Sequence, residues 1–249
     1  MRDVLVLCYH AVSGRWPSEL AVSPELLEEQ LTAVRRRGYR PATFTRAVLD
    51  PPWGRTVAVT FDDAYRSTLE QAAPVLASLG VPGTVFAPTD WIGRDEPMTW
   101  PGIEEWSPGP HADELLCLDW SGLGTLADAG WEVGSHTRSH PHLSQLAGDE
   151  RLRDELAGSR EVMEANLGRP VDSIAYPYGD FDARVVSVAG ETGYRAAGTL
   201  TRHAHVAAPL SWPRVGVYPA NRPLFVRLKT SAVLRRAEAA AEQLRGRRR

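Results

Sequence analysis

Short apolar runs recur along this chain, and the stretches between them carry apolar residues at helical spacing. Val4–Tyr9 is a continuous apolar run, the pattern of a strand buried on both faces. Val57–Phe61, Val81–Ala87, Trp131–Gly134, Ser173–Tyr176, Tyr194–Ala197 and Arg214–Val217 read as further strands. Between them, Ser23-Pro24 opens a helix with serine as N-cap and proline at the first helical position. Leu27, Leu31 and Val34 supply its apolar face, and Gly38 ends it. Further helices are predicted over Thr45–Leu49, Ser67–Leu79 (where Pro74 is placed to kink or split it), Asp119–Ala129, Arg151–Leu167, Asp182–Thr192 and Ser231–Leu244. Strands alternating with helices predict an α/β fold, a mainly parallel sheet covered by helices, as a barrel or an open sheet.

The segment 91–118 breaks this rhythm. It holds Pro97, Pro101, Pro108 and Pro110 together with Trp91, Trp100 and Trp106, and reads as an aromatic insertion. The remainder fits one domain over residues 1–249, with a basic C-terminal helix at 231–249. That helix also carries Glu238 and Glu242, so it reads as a solvated face.

Composition narrows the class. With 43% hydrophobic and 24% charged residues the chain reads as a soluble globular protein, and a net charge of −3 argues against nucleic acid as a partner. Cys8 and Cys117 are too few and too differently placed for a disulfide framework. Lys229 is the single lysine, which leaves Schiff-base chemistry almost no candidate. The first apolar run is too short to span a bilayer and lacks a small-residue cleavage site. The expectation is no signal peptide, no stable membrane insertion and a cytoplasmic location.

The unusual polar residues follow strands: His10, Asp62-Asp63, His136 with His140, and Tyr178-Gly179. In α/β folds the carboxyl ends of the strands form the active site, so these four groups converge in one mouth. Two adjacent carboxylates at the end of an apolar strand are an electrostatic conflict that a cation resolves. His136 and His140 lie between Gly134 and Pro141, which favours a strand-exit turn over a helix. Two histidines and one carboxylate make a facial triad with open positions for water and substrate. Zinc fits, as do other divalent ions, and such an ion lowers the pKa of its water towards about 7. The second carboxylate is then available to take a proton.

Thr60-Phe61-Asp62-Asp63, His136-Thr137-Arg138-Ser139-His140 and Tyr176-Pro177-Tyr178-Gly179 resemble, in order and separation, the first three motifs of the polysaccharide deacetylase family (carbohydrate esterase family four). The likeness runs from Val4 to about Val217. It implies a distorted (β/α) barrel of about seven mainly parallel strands and metal-dependent hydrolysis of N-acetyl groups on sugars. On this resemblance Asp62 is the general base, and Asp63, His136 and His140 hold one divalent metal, zinc first with cobalt or nickel as alternatives. The Tyr178 backbone N–H then helps stabilise the oxyanion. The partner is an N-acetylated amino sugar; a cytoplasmic site favours a small glycoside or lipid-linked saccharide over a cell-wall polymer. Oligomeric state is not readable.

Two family features are missing. The arginine that braces the base is replaced by Ala175, and Arg214 is the expected substitute. The last motif, with its general-acid histidine, has no match; His203 and His205 read as loop residues and His142 as solvent-facing. His10 is the remaining candidate, for substrate binding or for protonating the leaving amine, against a structural role beneath the metal. Trp100, Trp106 and Trp120 are candidates for a sugar platform or lid, against a small satellite core. Rival readings are an amidase or imidase on a non-sugar substrate and an inactive carbohydrate-binding module.

Overall fold

The expected strands form, with shifted ends. The structure, a computed structural model, describes residues 3–200 and 207–221. Its main strands are β1 (Asp3–Tyr9), β2 (Arg55–Phe61), β3 (Gly83–Ala87), β4 (Glu132–Ser135), β5 (Ser173–Ala175), β6 (Ala196–Leu200) and β7 (Trp212–Gly216). Neighbours pair in parallel in chain order, and β1 pairs with both β2 and β7, so the seven strands close into a barrel. The β1–β2 seam runs unbroken from Asp3↔Arg55 to Tyr9↔Phe61, whereas β4 and β5 meet only at Ser135↔Ile174. The barrel is therefore distorted, tight on one side and loosely seamed on the other.

Two apolar clusters follow from strand alternation. Val6, Ala58, Phe86, Ala175 and Ala196 fill the lumen, and Phe44, Ala47 and Val48 of the short helix Phe44–Leu49 plug its lower end. Leu5, Leu7, Val57, Val59 and Val85 face outward into the larger core beneath the helices. Truncating the Phe44 plug to alanine would cost about 3–5 kcal/mol.

The helices are α1 (Pro24–Arg35), α2 (Phe44–Leu49), α3 (Ala73–Ser78), α4 (Trp120–Asp128), α5 (Asp149–Arg153), α6 (Ser159–Leu167) and α7 (Ala183–Glu191). Ser23, Asp119 and Asp182 cap α1, α4 and α7, each side chain accepting a backbone N–H of the first turn. Pro74 splits the predicted Ser67–Leu79 helix: Thr68–Ala72 is π-helical, then α3 begins. Proline has no N–H to give the preceding turn, and the hydrogen-bond ladder widens to accommodate it. The predicted Arg151–Leu167 helix is likewise interrupted, by a π-helical stretch at Asp154–Gly158 between α5 and α6.

The aromatic insertion is no satellite core. Ile92, Met98, Trp100, Ile103 and Leu115 are continuous with the main core, and Trp16 bridges to it by edge contacts with Trp106 and Tyr65, each at 5.8 Å. No helix among the described residues is long and apolar enough to cross a membrane. His203, His205, Lys229 and the predicted C-terminal helix lie outside the described residues.

Candidate active site

Asp62 continues the inward-facing series of β2, and alternation would turn Asp63 to the opposite face. The chain avoids this by entering the left-handed region at Asp63 (φ 68°) and Ala64 (φ 50°). Thr137, His140 and Tyr178 are the remaining non-glycine residues with positive φ among those described. All five sit in the loops beyond β2, β4 and β5, at a cost on the order of 1 kcal/mol each or more.

Specific hydrogen bonds hold these loops against that cost. Leu118 and Arg66 N–H groups tie the far end of the aromatic insertion to the Asp63 turn, through Ala64 and Leu116 carbonyls at 2.8 and 2.9 Å. Buried Glu155 accepts the N–H groups of Arg138 and Ser139 at 2.9 and 3.0 Å and the Ser139 hydroxyl at 2.5 Å. Asp180 accepts the Ser144 N–H at 2.9 Å, joining the Tyr178 turn to the segment after His142. Glu155 lies outside the sequence motifs. A signal exists, because it lies on the apolar stripe of its helix beside Leu152, Leu156 and Ser159, where a carboxylate needs a buried partner.

The structure brings Asp63, His136 and His140 together. Asp63 Oδ1 lies 3.4 Å from Nε2 of each histidine, and all three side chains are buried. Yet Oδ1 makes no aligned hydrogen bond. His136 Nδ1 lies 2.8 Å from the Ala175 carbonyl, which only accepts, so the ring proton of neutral His136 sits there. Its Nε2 lone pair then faces the Asp63 oxygen. Burial opposes ionisation of Asp63, and only when the two imidazoles are protonated do they outweigh it and hold the carboxyl well below its ordinary range. A buried, orphaned carboxylate oxygen facing two imidazole nitrogens, with all three ligand atoms within 4.8 Å of one another, fits a divalent cation.

Asp62 is satisfied differently. Arg214, fully buried, donates to both its oxygens at 2.6 and 2.8 Å, and also to the Thr60 hydroxyl and the Thr199 carbonyl. Phe86 lies under the guanidinium at 5.4 Å. Arg214 reaches the lumen across β6 at Gly198, where a Cβ would fall 2.6 Å from its Nε. Cys8 Sγ is 3.4 Å from the second Asp62 oxygen, and burial pushes this thiol well up, so it stays a neutral donor. Burial would raise the Asp62 pKa, but Arg214, with His136 and His10 beside it, takes it down to about 2.

These residues floor a cleft of about 450 Å³, within the range of small-molecule sites. His10, half-buried, lines it, and its Nδ1 has no hydrogen-bond partner. Tyr178, Trp100 and Trp106 also line it; Trp120, on α4, does not. His142 does not simply face solvent: it stacks on Tyr178 at 4.0 Å and 11°, because the Asp180–Ser144 tie folds the two loops together.

Comparison with known proteins agrees with this architecture. The profile of the polysaccharide deacetylase family matches residues 50–197, more than half of the chain. YxkH of Bacillus subtilis is 25% identical over 199 residues, covering 78% of this chain; the chain thus spans 63% of that relative's length. Among solved structures, the Streptococcus pyogenes deacetylase PplD in complex with acetate is similar at a TM-score of 0.73 and 22% identity, over 92% of this chain and 98% of that one. IcaB from Ammonifex degensii gives 0.71 and 25% identity over 93% and 98%. With three motifs on one barrel mouth and a family profile over most of that barrel, this chain belongs to the polysaccharide deacetylase family.

Proposed function

We propose that this chain removes the N-acetyl group from an amino sugar, with one divalent cation held by Asp63, His136 and His140. The observation that carries the reading is the orphaned Asp63 oxygen facing two imidazole nitrogens, next to a second carboxylate kept ionised by Arg214. When bound, such a cation supplies Lewis-acid polarisation and a water of lowered pKa. Asp62 takes the proton of the attacking water as the oxygen adds to the amide carbon. The Tyr178 N–H donates to the developing oxyanion. The C–N bond then breaks, the nitrogen takes a proton, and acetate leaves a free amine; His10, beside Asp62 at the mouth, is the candidate for supplying that proton or for holding the sugar. Zinc is the first choice of ion, with cobalt and nickel as alternatives.

The lack of an arginine at position 175 gives weight to an inactive binding module. Arg214 on both oxygens of Asp62 supports the catalytic reading instead, since binding alone needs no braced base. The test is acetate release from N-acetylated glycosides and lipid-linked amino sugars, before and after metal stripping and zinc add-back. Release that requires metal and falls about 10²–10⁴-fold in Asp62→Asn supports a base at this position. Release that survives metal stripping refutes the metal reading, and full activity in Asp62→Asn refutes the base.

A further inference from the structure

The two histidines of the metal set are held in different ways. His136 is anchored by a hydrogen bond from Nδ1 to the Ala175 carbonyl. His140 has a buried Nδ1 with no hydrogen-bond partner. Metal-binding imidazoles are usually oriented through that second nitrogen, so the His140 ring needs another restraint. Its backbone N–H donates to the Thr137 hydroxyl at 3.1 Å, which holds the main chain but leaves the ring free to turn.

The ring is held by aromatic contacts. Trp100 stacks on it at 4.0 Å between centroids and 19° between planes, while Tyr178 and His136 meet it edge-on at 4.7 and 4.8 Å. Trp100 is only 8% exposed and is backed by the edge of Trp91 at 5.8 Å. We infer that Trp100 is a positioning residue for His140, acting through its ring face; this rests on the metal-hydrolase reading above. An imidazole that ligates a cation is electron-poor, and an indole face is electron-rich, so the contact strengthens when the ion binds.

Trp100 also begins the wall of the cleft, with Pro101, Gly102, Ile103, Glu105 and Trp106. The same segment therefore lines the cleft and packs on His140. Ion retention and order of this wall are linked, and linkage acts in both directions.

The test is competition for Zn²⁺ between the full-length protein and a chromophoric chelator. The panel is wild type, Trp100→Leu, Trp100→Phe and Trp53→Ala. Trp100→Leu keeps apolar bulk without a ring face, and is expected to weaken zinc binding about 10-fold or more. Trp100→Phe should stay within a few-fold of wild type, and Trp53→Ala, at an exposed tryptophan outside this wall, should match wild type. Zinc should also slow amide hydrogen exchange over residues 98–106 of the wild type. Zinc binding in Trp100→Leu equal to wild type overturns the inference, as does equal weakening in Trp53→Ala or unchanged exchange in the wall. If the wild type itself takes up no zinc, cobalt or nickel, the metal-hydrolase reading falls first and this inference falls with it.

Discussion

Asp62 and Asp63 are neighbours in sequence, yet they sit in opposite kinds of surroundings. Asp62 lies at the top of the lumen, where rigid strands deliver Arg214, Thr60 and Cys8 to it. Both its oxygens are matched, and it needs nothing more to remain charged. Asp63 lies in left-handed loop backbone among two histidines, and one of its oxygens has no hydrogen bond. A buried charge that is paired and one that is not make different demands: the first stays as it is, and the second calls for a cation. The barrel thus gives two adjacent carboxylates two different settings, one paired and one unpaired.

Asp63→Asn attacks the incomplete side and should have the largest effect. Metal affinity collapses, and turnover falls by about 10³-fold or more, because Lewis-acid stabilisation is worth several kcal/mol. Metal analysis beside acetate release checks this, and a fully loaded, active variant would erase the contrast.

Arg214→Ala attacks the complete side. Leaving Asp62 buried without its partner should cost about 3–5 kcal/mol of stability. It should also depress turnover and move the acidic limb of the pH–rate profile upward, with zinc binding retained. The sign follows from linkage. Asp62 titrates at about 2 in the folded chain, below its ordinary value near 3.9, so its stabilisation is complete above about pH 4 and fades as pH falls through about 2. Without Arg214 the folded pKa rises and that window shrinks. An unmoved profile would count against Arg214 as the brace.

Gly198→Ala sharpens the same side more gently. The new methyl would sit 2.6 Å from Arg214 Nε and 2.7 Å from Cδ, so the guanidinium must shift. About 1–3 kcal/mol of stability should be lost, and the acidic limb should move the same way by less. Thermal unfolding and a pH profile measure both; wild-type behaviour in both would mean the lumen yields without disturbing Asp62. His10→Ala should give the smallest change, roughly 10-fold in turnover, since water at an open mouth can deliver the proton in its place. Unchanged kinetics would leave His10 a structural histidine.

Much of this was determined by the sequence alone. Alternating apolar strands and capped helices dictate a parallel α/β fold, because burial on both faces and periods of 2 and 3.6 are local properties. The Asp-Asp, His-x-x-x-His and Tyr-Pro-Tyr-Gly groups at strand ends mark the site, since polar residues there oppose the pattern around them. The tertiary structure decided the rest, through distance. Arg214 lies far from Asp62 along the chain, and only closure of β7 onto β1, with Gly198 clearing the way, brings it there. Glu155 supports the histidine loop because a π-helical stretch aims it. Trp100 reads as one tryptophan in a proline-rich insertion, and only the packed barrel lays its ring on His140. Local patterns state which residues are unusual; which of them meet is decided by long-range packing, for which a single sequence carries no periodic signal.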